Sequence, residues 1–142
     1  MNLQDRITNT GIGATIRKVD SNPAMRPAAD APSSEVQWYR DATHWRVYLR
    51  NISNGEKMQL TYTMGPGHKG REPRVAEIMD SCLADASFAL SNASYIEFAR
   101  ELGIEPDSRA RRVFDSLVAQ TEKLRRFLGE DFDVWMNDTD FD

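Results

Sequence analysis

One cysteine, two histidines and no long apolar run are what this sequence has least of, and each shortage closes a class of function. Cys82 stands alone, so no internal disulfide can form and the thiol reads as reduced, as in a cytosol. His44 and His68 lie in different segments, and neither stands at a zinc-ligand spacing from Cys82, which leaves no metal site and no cofactor to expect. No apolar stretch approaches the ~20 residues of a membrane span. The opening MNLQDRITNT also lacks the apolar core of a signal peptide. Nor is there an excess of base, since the net charge is −4.

What is present is ordinary in amount and uneven in distribution. A chain of 142 residues, 40% hydrophobic and 28% charged, reads as a single domain over 1–142, large enough to fold without staples. Residues 1 to 74 hold eleven Lys and Arg against seven Asp and Glu, whereas residues 75 to 142 hold seven against fifteen. The last thirteen, EDFDVWMNDTDFD, carry six acids and no base, with Phe132, Trp135 and Phe141 among them. They read as an acidic tail over 130–142 whose exposed rings would serve a partner, because a purely solubilising tail has no use for them.

The first half reads as strands around a loose arm. GATIRKVD puts Ala14 and Ile16 on one side and Thr15 and Arg17 on the other, an N-terminal strand by alternation. SNPAMRPAADAPSSE brings three prolines among small polar residues, and an irregular arm or linker is expected over 20–44. HWRVYLRNIS and EKMQLTYTMG then alternate around Asn54-Gly55, predicting a hairpin, 45–52 with 57–64, closed by a two-residue type I′ turn. That turn would make paired positions add to 109, setting Leu49 against Leu60, Val47 against Tyr62 and Trp45 against Met64. The runs would then share one apolar face.

The second half reads as three helices. Pro73 is a favoured first-turn residue, and Val75, Ile78, Met79, Cys82, Leu83, Ala86 and Leu90 keep the rhythm of one buried face. Ser94 with Glu97 spells a capping box, ended by Gly103. From DSR at 107–109 a third stripe runs through Val113, Leu117, Thr121, Leu124 and Leu128 to Gly129. Strands first and helices after predict an α+β fold, with three helices on one face of a small antiparallel sheet.

The glycine-rich GPGHKGRE at 65–72 has the glycine spacing of a phosphate loop, but Arg71 stands for its lysine and Glu72 for its hydroxyl residue. A carboxylate there would repel phosphate, and the preceding strand belongs to a hairpin rather than a parallel βα unit. The loop instead offers His68, Lys69, Arg71 and Arg74 as a small basic cluster for a partner. A Cys82–His68 nucleophile pair would need a core-facing thiol to turn outward. No catalytic residue is expected, and the protein is not expected to be an enzyme.

HWRVYLRN, MGPGHKGREP, DSCLADAS, DSRARR and EKLRRFLG, in this order over residues 45 to 129, resemble a widespread family of small phage and prophage proteins, mostly uncharacterised. Where the resemblance leads one to expect a capping threonine after Pro73, this chain has Arg74. The resemblance implies a phage-encoded protein in the cytoplasm of an infected bacterium. Beyond the resemblance, its size and charge lead us to expect an inhibitor of host defence, specifically an anti-CRISPR protein that binds a CRISPR effector complex and blocks DNA binding or nuclease action. Such effectors expose positive channels, which an acidic surface of Glu130, Asp131, Asp133, Asp138 and Asp140 around a Trp135 anchor could occupy. Direct nucleic-acid binding is not expected under that reading. The alternative is an accessory protein of replication or regulation whose sheet, with Arg40, Arg46, Arg50, Lys57 and Lys69 near Trp38, Tyr39, Trp45, Tyr48 and Tyr62, receives single-stranded nucleic acid. A homodimer through the third helix is a further option.

Overall fold

The computed structural model describes residues 2–68, 70–92 and 94–138, with residue 138 described by its backbone alone. Asn2 opens helix α1 (Leu3–Thr10) by accepting the Asp5 N–H at 2.8 Å. This helix is not evident from sequence, because its only apolar residues are Leu3 and Ile7, one turn apart. Both are buried in the core. Strand β1 (Ile12–Val19) follows, as the alternation predicts.

The stretch 20–44 is irregular only in its first part. A 3₁₀ turn, Pro23–Met25, interrupts it, and from Ser33 the chain is helix α2 (Ser33–Asp41), with strand β2 (Thr43–Asn51) close behind. The prolines stop at Pro32, where the ring's fixed φ suits a helix entrance. Trp38 then packs over Gly65, where an added Cβ would lie 3.3 Å from the indole. Tertiary contact thus orders a segment whose composition reads as a linker.

Strands β1, β2 and β3 (Lys57–Met64) form an antiparallel sheet in chain order. The hairpin exists, but its pairs add to 107 rather than 109: Leu49 faces Met58, Val47 faces Leu60 and Trp45 faces Tyr62. The two-residue turn is overturned by a four-residue loop, closed by Asn51 N–H to Glu56 O at 2.9 Å and Gly55 N–H to Asn51 O at 2.8 Å. A slip of two keeps every side chain on its face, so the apolar face survives the error. Asn54 is bound elsewhere: its amide, like that of Asn51, donates to the Phe127 carbonyl, at 3.1 and 2.9 Å.

Helices α3 (Val75–Leu90) and α5 (Ser108–Leu128) cover the apolar face of the sheet, burying Ile78, Met79, Leu83, Leu124 and Phe127 against Val47 and Leu49. Asp107 caps α5 by accepting Ala110 N–H at 3.0 Å. Helix α4 (Tyr95–Leu102), capped by Ser94, packs chiefly on α5 rather than on the sheet. Phe98 meets Phe88 and Phe114 there at 5.3 and 5.4 Å. The inward stripe of α5 at this end is therefore buried Ala110 with half-buried Phe114 and Leu117, and Val113 is exposed, as is Leu90 at the end of α3. The architecture is α+β, as expected, with more helix than the sequence suggests.

The expected acidic tail is structure as far as it is described. Gly129–Asp131 is a 3₁₀ turn and Phe132–Asp138 is helix α6. Phe132 and Trp135, one turn apart, enter the core, and Trp135 is 1% exposed. The guanidinium of Arg125 lies 4.5 Å from the Phe132 ring and that of Arg6 5.7 Å from Trp135. Trp135 is thus not a partner-facing anchor. Asp140 and Lys69 lie outside the described residues.

Candidate functional site

Alternation that sends Trp45, Val47 and Leu49 inward sends Arg46, Tyr48 and Arg50 outward. Register then assembles an outer face that no single strand shows. Arg17 lies opposite Arg46, and Arg50 lies opposite Lys57. Between these two rows Thr15, Tyr48 and Gln59 form a third, and Tyr48 is 37% exposed. Like charges directly across strands cost a few tenths to about 1 kcal/mol per pair. Here two such pairs flank one exposed ring, and none of the outward-facing residues of the sheet is an acid.

These cations are unneutralised. Among the described residues none of Arg17, Arg46, Arg50 and Lys57 takes part in an ion pair. Arg50 Nη1 donates to Thr15 Oγ1 at 3.0 Å, which lays the guanidinium across the face. Gly13 makes the room: a Cβ there would stand 2.9 Å from Arg50 Nη2. Arg46 Nε is buried with no hydrogen-bond partner among the described residues. Arg46 and Arg17 thus lie opposite each other with no carboxylate paired to either among the described residues.

One end of the face is roofed. His44 Nε2 lies 3.1 Å from the Tyr39 carbonyl, which only accepts, so that nitrogen carries the ring proton; Nδ1 accepts from Thr63 Oγ1 at 3.0 Å. Thr63 Oγ1 in turn accepts from Asn22 Nδ2 at 2.8 Å, and Asn22 N–H donates to the Tyr39 hydroxyl at 3.1 Å. The buried chain of bonds fastens the 20–25 segment and α2 over the end of the sheet at His44 and Thr63. His44 is structural there, and the face from Arg17 to Lys57 stays open.

Among the described residues the glycine-rich loop shows no phosphate cradle. Two of its N–H groups are turned on the loop itself, His68 to Gly65 O at 3.1 Å and Arg71 to His68 O at 3.2 Å. The entrance of α3 is filled by Glu77, which accepts two 2.8 Å bonds from Arg71, one of 3.2 Å from Arg74 Nε and one of 3.0 Å from Arg74 N–H. Arg71 above all, with the Arg74 bonds, holds the Glu77 carboxyl down at about 2. The adjoining cleft of about 290 Å³ is lined by Tyr62, His68, Glu77, Asp80 and Ser81. Burial, then the Glu77 charge, pushes the Tyr62 hydroxyl up. An anion would meet two carboxylates there. Arg71 and Arg74, expected as a free basic cluster, are therefore already engaged.

Cys82 is buried and desolvation pushes its thiol up to about 12, so no nucleophile pairs with His68. Burial likewise raises the Asp85 carboxyl. Among the described residues no three of His, Cys, Asp and Glu converge as a metal site, and no helix is long and apolar enough to cross a membrane. Glu130, Asp131 and Asp133 are exposed at the 3₁₀ turn and the start of α6, without ion pairs among the described residues. Arg17, which sequence pattern does not single out, belongs with Arg46; only the register of β1 on β2 shows it. Comparison with protein-family models, with curated proteins and with solved structures gives no match.

Proposed function

We propose that the protein binds nucleic acid through the outer face of its sheet, as a phage accessory protein of replication or regulation. The observation that carries this is the pair of like-charge rows, Arg17 with Arg46 and Arg50 with Lys57, set around the exposed ring of Tyr48 with no carboxylate among them. Phosphates supply the missing counter-charge, and a base can stack on the ring. The phage context comes from the resemblance of residues 45 to 129. The ranking of the two readings is thereby reversed, because the aromatic anchor of the other one, Trp135, lies in the core.

Fluorescence anisotropy with a labelled oligonucleotide tests it. At about 50 mM salt the wild type should bind at micromolar concentration, and affinity should fall linearly on a log–log plot as salt rises. Arg46→Glu with Arg50→Glu should weaken binding at least tenfold with the melting temperature unchanged or raised, since like-charge strain is relieved. No binding at low salt by the wild type overturns the proposal.

A second reading, inhibition of a CRISPR effector, is favoured by one observation: Glu130, Asp131 and Asp133 stand exposed at the 3₁₀ turn and the start of α6, with no ion pair among the described residues. There the charge alone would act on a positive channel. Protection of a targeted phage on a CRISPR-proficient host, lost when these three become Gln and Asn, would support it; no protection by the wild type would refute it.

A further inference from the structure

Strand β3 is an edge of the sheet, bonded to β2 on one side only. Along its other side runs α5, and between them lies a groove of about 400 Å³ lined by Glu56, Lys57, Met58, Gln59, Lys123 and Arg126. Three of the six are cations and one is an acid. Lys123 and Arg126, one turn apart on α5, have no ion-pair partner among the described residues, although Arg125 beside them pairs with Glu122 at 3.6 Å. Lys57 belongs to both places: it faces Arg50 on the outer face and it lines the groove.

Resting on the nucleic-acid reading above, we infer that the ligand is a single strand whose backbone leaves the outer face at Arg50 and Lys57, turns over the β3 edge and places its next phosphates in the groove against Lys123 and Arg126. The turn decides the class of ligand. The outer face and the groove share one edge strand, so the path changes direction sharply over its width. Duplex DNA is stiff over roughly 150 base pairs and cannot follow it. A single strand rotates at every backbone bond and can. Its bases are also free to stack, which gives Tyr48 its role, whereas in a duplex they are closed to such a ring.

The test compares an oligothymidylate of roughly 15 nucleotides with a duplex of the same length, each labelled and titrated at several salt concentrations. The wild type should favour the single strand. Lys123→Gln with Arg126→Gln should weaken its binding about tenfold at low salt and lower the log–log salt slope by about 1.4, since each phosphate contact on a single strand contributes about 0.7. Arg126 lies in the last turn of α5, where a cation also supports the helix end; Lys123→Gln alone should therefore remove about 0.7 of slope with the melting temperature unchanged. Equal binding of the duplex overturns the inference. So does an unchanged slope in both groove variants while Arg46→Glu with Arg50→Glu still abolishes binding, which would confine the ligand to the outer face. Failure of the wild type to bind either probe instead removes the reading on which the inference rests.

Discussion

Trp135 shows how a single residue can be misjudged from its neighbours in sequence. Phe132, Trp135 and Met136 have the spacing of a helix stripe, and Asp133 between them is exposed, yet the run of carboxylates suggests a solvated tail. The missing information is what the stripe packs against, and that is α5 and α3, with the Arg6 guanidinium of α1 over the Trp135 ring. Trp135→Ala should cost about 3 to 5 kcal/mol, the usual penalty for emptying a buried aromatic site, read as a large drop in denaturant midpoint. A cost under about 1 kcal/mol would show that the ring is outside the core. Glu77 is the other residue whose role is decided by contacts. Its carboxyl sits at about 2 in the folded chain against an ordinary 4.5, so between those pH values the unfolded chain holds a proton that the folded one does not. Its contribution is complete above pH 4.5 and lost as pH falls towards 2. Glu77→Gln should cost about 1 kcal/mol at pH 7, and the wild-type and variant stability curves should converge near pH 2; parallel curves would remove the ion pair from the account.

The elements were legible where one periodicity governed them and obscure where tertiary contact did. β1, both hairpin strands and α3, α4 and α5 announce themselves by alternation, caps and stripes. Helix α1 buries only two side chains, and α2 is ordered by Trp38 and Tyr39 reaching the sheet, so neither carries a pattern of its own. The hairpin register failed for a related reason. Asn54-Gly55 favours a two-residue turn locally, but the amides of Asn51 and Asn54 both donate to the Phe127 carbonyl near the end of α5. Satisfying a carbonyl that lacks an intrahelical partner favours the longer loop. Asn51 also accepts from Ser53 N–H at 3.0 Å and is 2% exposed. Asn51→Ala should therefore cost about 1 to 3 kcal/mol, and Asn54→Ala about 1. Gly55, at φ of 75° with open space around it, should lose about 1 kcal/mol on change to Ala from backbone strain alone. Thermal melts of the three variants check this, and an Asn51 variant as stable as wild type would detach the loop from the helix.

At the scale of the molecule charge is uneven in space as well as in sequence, although Lys123 and Arg126 of the acidic half join the basic side. The open face of the sheet is basic without acids, the groove beside β3 continues it, and Glu130, Asp131 and Asp133 lie beyond α5. Composition hides this, because a sequence pI of about 5.2 describes an acidic protein. The constituents of the basic face were visible as alternating arginines, but opposing Arg17 to Arg46 needs the β1–β2 register, and adding Lys123 and Arg126 needs the packing of α5 on the edge strand. A net-negative protein with a local positive field should behave in two ways at once. At pH 7 and low salt it should be retained on an anion exchanger, as its net charge of −4 requires, and also on heparin, which mimics a phosphate backbone in charge. Arg46→Glu with Arg50→Glu should abolish heparin retention while strengthening retention on the exchanger. Glu130→Gln with Asp131→Asn and Asp133→Asn should leave heparin elution the same or later and weaken the exchanger. Were the two sets of variants to shift heparin elution equally, binding would follow net charge, and the sheet face would have no privileged role.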